Sequence, residues 1–146
     1  MTTPLHFFGQ KRLEISTTGR SFVDLTSQIQ REVKDSECSQ GTCHVFIQHT
    51  SASLIVCENA DPSVRRDLEA FVQKRFCPDG IDFFEHIAEG IDDMPAHVRS
   101  VFTQTSLMLP VLDGHLGLGT WQGVYLWEHR LEPHHRNVLL SVNGIP

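Results

Sequence analysis

Hydrophobic positions along this chain alternate between the two periods that mark strands and helices. Leu13 to Ser16 and its flanks read as an early strand, closed by Thr17-Thr18-Gly19. Phe22, Leu25, Ile29 and Val33 then recur at helical spacing, which predicts an amphipathic helix from Ser21 to about Val33. Over Thr42 to His49 the period is two: Cys43, Val45, Ile47 and His49 share one face, and His44, Phe46 and Gln48 the other. A second strand is expected over Ser53 to Glu58. Asp61-Pro62 is a helix start, an aspartate cap before a proline in the first turn, and Val64, Leu68, Phe71, Val72 and Phe76 mark its expected buried stripe. Cys77-Pro78-Asp79-Gly80 closes that helix.

The C-terminal half has a short helix from Pro95 to about Phe102 and then reads as strands: Ser106 to Val111, Leu118 to about His129, and Arg136 to Val142. Turns are expected at Asp113-Gly114 and Glu132-Pro133. Strands and helices mix without a regular βαβ alternation, which predicts a single α+β domain with largely antiparallel pairing.

The segment from Glu85 to His97 fits neither period. It packs two histidines and four carboxylates into thirteen positions, punctuated by Gly90 and Pro95. Long irregular segments in compact domains are functional or disordered. Ile87, Ile91 and Met94 offer apolar anchors, which predicts an ordered loop. Imidazole with carboxylate is a ligand set for a borderline divalent metal.

Length and composition narrow the class. At 146 residues, with 40% hydrophobic and 21% charged positions, the chain can close one hydrophobic core. A formal charge of −6 argues against non-specific nucleic-acid binding, and no apolar run approaches the length of a membrane span. The N-terminal residues carry no basic region followed by an apolar stretch, so the expectation is a cytoplasmic protein. Its four cysteines (Cys38, Cys43, Cys57 and Cys77) lack close paired spacing and are expected to remain thiols, with Cys43 and Cys57 as small core residues.

Four groups could carry chemistry. The first is the acidic loop, with His86, Asp92, Asp93 and His97; Asp93 could equally cap a helix, and His86 could be a solvated loop residue. The second is His49-Thr50-Ser51-Ala52-Ser53 at a strand end, whose hydroxyls fit either an anion site or a tight turn. In the third, period two places Thr120, Gln122, Val124, Leu126 and Glu128 on one strand face, with Trp121, Tyr125, Trp127 and His129 opposite. There Glu128 is a candidate general base or a partner orienting a ligand histidine. The fourth is Glu58-Asn59-Ala60-Asp61, ahead of a helix that carries Arg65 and Arg66 in its first turns and could meet a phosphate.

Read together, these segments resemble the YjbQ family, also labelled secondary thiamine-phosphate synthases. The resemblance rests on Gln48-His49-Thr50-Ser51-Ala52-Ser53-Leu54, Glu58 to Val64, Glu85-His86 through Asp92-Asp93-Met94-Pro95-Ala96-His97, Leu118 to Leu126, Glu128-His129-Arg130 and Val142-Asn143-Gly144. It covers nearly the whole chain in order. Phe83-Phe84 before Glu85 and Trp127 before Glu128 depart from the family's pattern, but neither falls on a proposed ligand.

The resemblance implies a β-sandwich-like, mostly antiparallel sheet with a few flanking helices, assembled as a homotrimer. It also implies a metal site onto which His49, His86 and His97 map, with zinc the expected ion and magnesium an alternative for a diphosphate substrate. Asp93, Glu128, Thr120 and Gln122 are the expected catalytic or pocket residues. Ser51, Ser53, Asn59 and Arg66 are the expected substrate contacts. The implied reaction joins a pyrimidine diphosphate to a thiazole phosphate and releases pyrophosphate. Arg66, Arg99 and Arg130 are the cations available to such a reaction, and no phosphate-cradling glycine loop is present. Hydrolysis of a small phosphorylated or acyl substrate at the metal, and a non-enzymatic ligand-binding trimer, are the competing readings.

Overall fold

The computed structural model describes residues 2–146. Eight strands and three helices follow in the order β1 (His6–Ser16), β2 (Ser21–Asp24), α1 (Thr26–Asp35), β3 (Gln40–Ile47), β4 (Ala52–Glu58), α2 (Pro62–Phe71), α3 (Asp93–Val101), β5 (Ser106–Leu112), β6 (His115–Leu116), β7 (Gln122–Glu128) and β8 (His135–Ile145). One sheet has the order β1-β8-β3-β5-β6 and the other β2-β7-β4. Every pairing is antiparallel. The class is therefore α+β, as the mixed periodicity predicts.

The core lies where α1 and strands of both sheets meet, and it follows the predicted alternation. Cys43, Val45 and Ile47 of β3 are buried, as are Leu54 of β4, Val124 and Leu126 of β7, and Val138 and Leu140 of β8. Leu25, Ile29 and Val33 are fully buried at four-residue spacing along α1. Each such aliphatic side chain contributes about 1.5–3 kcal/mol of transfer free energy. All four cysteines are free thiols; Cys43 is a core residue, and burial pushes its thiol up to about 11.

Four differences from the predicted elements bear on function. Residues 21–24 are a strand, not the first turn of a helix. Phe22 shares helical spacing with the α1 residues, yet its ring stacks on Trp127 at 4.6 Å and 24° as part of the second sheet. The strand predicted from Leu118 begins only at Gln122, because Gly119 N–H is drawn to the Gln122 side chain at 2.8 Å in a turn.

The helix started by Asp61-Pro62 forms as expected, and Asp61 accepts from Ser63 N–H. Its expected buried stripe does not form: no residue of α2 is buried, and Phe71 is 62% exposed. A π-helical turn over Val72–Phe76 extends it. Finally, Ile87 and Ile91 are exposed, so they do not anchor the acidic loop.

Candidate metal centre

Charge, not apolar packing, holds the loop. Arg130, just past the end of β7, donates from Nε to Asp92 Oδ2 at 2.9 Å and from Nη2 to the Glu89 carbonyl at 2.9 Å. Its Nη1 reaches Asp93 Oδ1 at 2.8 Å. Leu131 N–H adds a second bond to Asp92 Oδ2. Burial alone would raise the Asp92 carboxyl, but the Leu131 N–H and the Arg130 guanidinium outweigh it and hold the group below its ordinary value. Gly80 N–H to the Ile91 carbonyl closes the loop at its base, at 3.1 Å.

This clamp delivers Asp93 to the start of α3 with its second oxygen turned to two histidines. His86 Nε2 donates to Asp93 Oδ2 at 2.7 Å. His97 lies one turn further along α3, with Nε2 3.5 Å from the same oxygen. The ligand atoms of His86, Asp93 and His97 all lie within 4.8 Å of one another. Asp93 is buried, while the side chains of His86 and His97 are 50% and 31% exposed. A cavity of about 390 Å³, lined mainly by Ile81, Phe84, Ile87, Ile91, Met94 and Pro95, opens beside His86.

The donor set fits a divalent ion. Tetrahedral ligands at zinc distances stand about 3.3 Å apart. The His86–Asp93 separation is shorter because a proton lies between them, and an ion in its place would widen the pair by roughly half an ångström. Two imidazoles and one carboxylate leave at least one coordination position for water or substrate.

His49 does not join this group. Its Nε2 accepts from Asn137 N–H at 2.8 Å, and its Nδ1 faces Arg136 Nη1 at 3.4 Å. Burial and the neighbouring Arg136 charge lower its pKa. With the Nε2 lone pair spent on a backbone amide, the ring serves to join β3 to β8. Asp93, not His49, lies with His86 and His97.

Glu128 lies at the end of β7 but is not placed as a base. It is fully buried and paired with Arg136 through both oxygens, Arg136 Nε to Oε2 at 2.7 Å and Nη2 to Oε1. Thr17 Oγ1 and Arg130 N–H add bonds at 2.8 and 3.1 Å. Burial opposes ionisation here, but these donors prevail and the Glu128 pKa is lowered. Its role is to orient Arg136, which donates to Ser51 Oγ at 3.0 Å. Ser51 is thereby committed to structure, and Ser53 Oγ is paired with His129 Nε2 at 2.8 Å.

Thr120, Gln122 and Asn59 gather at the other end of β7. Asn59 Nδ2 lies 3.3 Å from the carbonyls of both Thr120 and Gln122. Six residues of strand put this turn about 20 Å from Glu128, so within one chain these residues build a turn and do not meet Glu128. Arg66 is exposed on α2 and lines a separate groove.

Two further groups are buried: Arg99, expected from sequence only as a cation for the substrate, and His129, to which no role was assigned. Arg99, 1% exposed, donates to Glu69 Oε1 at 2.6 Å and Gln73 Oε1 at 2.8 Å. His129 is fully buried, and burial together with Arg99, Arg20 and Arg136 holds its pKa well below the ordinary value. Among the described residues, Arg99 Nε and His129 Nδ1 have no hydrogen-bond partner. The available signal was Glu128-His129-Arg130, three ionisable residues directly after an apolar strand.

The fold and centre together define a class: an α+β domain of two antiparallel sheets with a His–Asp–His cluster whose His86 also lines a largely apolar pocket. The family model described as "UPF0047 protein YjbQ-like" matches residues 11–145, and the chain belongs to that family. A UPF0047 protein of Synechocystis is 51% identical over 135 residues, covering 92% of this chain and 91% of the relative. The UPF0047 protein YjbQ of Escherichia coli O157:H7 is 43% identical over 136 residues, covering 92% and 97%. A crystal structure of a YjbQ/UPF0047 family protein from Clostridium acetobutylicum superposes with a TM-score of 0.83 at 32% identity, covering 90% of this chain and 98% of that one.

Proposed function

We propose that this protein is a divalent-metal enzyme acting on a small molecule bound in the pocket beside His86. The observation that carries this reading is the convergence of His86, Asp93 and His97 within 4.8 Å of one another, with His86 also lining the pocket. Zinc is the ion that best matches two imidazoles and a carboxylate, and it supplies Lewis acidity to a water molecule or to a substrate oxygen. His86 and His97 would hold the ion from the loop and from α3, with Asp93 as the carboxylate donor. Arg130 keeps Asp93 Oδ1 occupied, which favours monodentate ligation. The apolar pocket residues exclude water from the rest of the substrate.

Hydrolysis of an acyl or phosphorylated substrate is the favoured reaction. The thiamine-phosphate condensation implied by the family resemblance would need cations free to meet departing pyrophosphate. Arg130 is committed to Asp92, Asp93 and Glu89, Arg99 to Glu69 and Gln73, and Arg66 lines a groove that shares no residue with this pocket. Product analysis separates the two: condensation consumes two substrates and releases pyrophosphate, whereas hydrolysis consumes one substrate and water. Absence of turnover with both substrate classes would leave a ligand-binding protein. We further propose a cytoplasmic homotrimer, for which exposed Phe71, Phe102 and Trp121 offer apolar contact surface; a monomer in sedimentation at micromolar concentration would reject that assembly.

A further inference from the structure

The second sheet ends at β2, which pairs with β7 alone. The Leu25 N–H to Val124 carbonyl bond at 2.8 Å, together with the antiparallel register, fixes which groups face inward. By alternation, Ser21 and Val23 bond to β7, while the N–H and C=O groups of Phe22 and Asp24 point away from the sheet. An open edge of this kind is a template for another strand.

A groove of about 600 Å³ opens beside the start of this strand, between Ser21 and Phe22 of β2 and α2. One row of the helical wall is Pro62, Arg66 and Ala70 of α2 with Lys74 of the π-helical turn, and Arg65, Glu69 and Gln73 line it as well. Among the described residues neither Arg66 nor Lys74 makes a salt bridge. The lining holds four cations, Arg20, Arg65, Arg66 and Lys74, against one carboxylate, Glu69, which is engaged by Arg99 and Trp127; Asp79 pairs with Arg20, and Asp61 at the helix start offsets part of the Arg65 and Arg66 charge. In a chain of net charge −6, two unpaired cations on one wall of a groove make a local positive field. Phe22, braced by Trp127, forms the other wall.

We propose that this groove binds an extended acidic peptide, which adds to β2 as a further strand of the second sheet. Backbone groups of the peptide pair with those of Phe22 and Asp24, and alternate acidic side chains turn toward Arg66 and Lys74. An open strand edge beside a helix is the geometry of peptide recognition by β-augmentation, in which backbone bonds supply affinity and side-chain pockets supply selection. Charge complementarity selects the acidic sequence, and Ala70 leaves space between the two cations. The groove shares no lining residue with the pocket beside His86, so this inference stands apart from the metal reading.

The test uses the full chain and a capped eight-residue peptide alternating glutamate and valine. Calorimetry should find saturable binding. An Arg66→Glu, Lys74→Glu double variant, checked for folding by circular dichroism, should bind at least tenfold more weakly. A lysine–valine peptide should not bind, and backbone N-methylation should weaken the acidic peptide at least tenfold. In amide-resolved spectra the Phe22 and Asp24 signals should shift on titration, and they should shift equally in a His86→Ala, His97→Ala variant. The proposal is overturned by absence of binding, by equal binding to the charge-reversed variant, or by inorganic phosphate competing as strongly as the peptide. It is also overturned if the Phe22 amide becomes protected with rising concentration of the protein alone, since a second copy would then occupy the edge.

Discussion

Replacing Glu128 with glutamine tests the buried framework behind the candidate centre. The substitution keeps shape but removes the charge opposite Arg136, which is itself buried. Each Glu128 oxygen accepts two donors, Arg136 and Arg130 N–H on Oε1, Arg136 and Thr17 on Oε2. No orientation of an amide satisfies this set, because its NH₂ must face an Arg136 N–H on either side. Breaking one partner from a buried ion pair costs about 3–5 kcal/mol. That is a large part of the roughly 5–15 kcal/mol that holds a domain together. In urea, with a slope of about 2 kcal/mol/M, the midpoint should fall by about 2 M. A Glu128→Leu, Arg136→Met double variant removes both charges and should recover much of the loss. A midpoint shift for Glu128→Gln corresponding to less than about 1 kcal/mol would refute the assignment of Glu128 to the buried ion pair.

Other outcomes follow from the same structure. The unfolded chain's histidines titrate near 6.5, while folded His129 is held well below that, so the unfolded state binds the extra proton and stability falls as pH drops below about 6.5. The slope is at most about 1.4 kcal/mol per pH unit per proton, and His49 shares the window. A His129→Gln variant should show a shallower fall in urea midpoint between pH 7 and 5, and an unchanged slope would contradict the burial argument. Glu128 and Asp92, with lowered pKa values, contribute stability that is lost only at more acid pH. Gly41→Ala would drive a Cβ into the Asn143 carbonyl of β8. It should destabilise by at least the ~1–3 kcal/mol of ordinary overpacking; a calorimetric melting temperature equal to the parent's would reject the close β3–β8 approach. Arg130→Ala should speed amide hydrogen exchange in residues 85–92 at least tenfold, and unchanged protection would mean another contact holds the loop.

Much of the scaffold was legible because one period dominated each element. Cys43, Val45 and Ile47 alternate through β3, and Asp61-Pro62 starts α2 through a cap that is visible in sequence. Phe22 misled because a four-residue strand directly before a helix can extend the helical spacing by chance. The α2 stripe misled because periodicity reports an amphipathic face, not what covers it. At the site, the Glu85–His97 excess of ligand types correctly marked His86, Asp93 and His97 as neighbours. The competing claims of Asn137 N–H on His49 and of Arg136 on Glu128 were not legible, since the first arises from the β3–β8 pairing of distant segments and the second from contact between strands of different sheets.

Elemental analysis after equilibration with zinc and removal of loosely bound metal tests the central claim most directly. Near one divalent ion per chain is expected in the parent protein and in His49→Ala. Metal should be lost in folded His86→Ala and His97→Ala. Full metal in both of those variants, or no retained metal in the parent, would contradict the His86–Asp93–His97 centre.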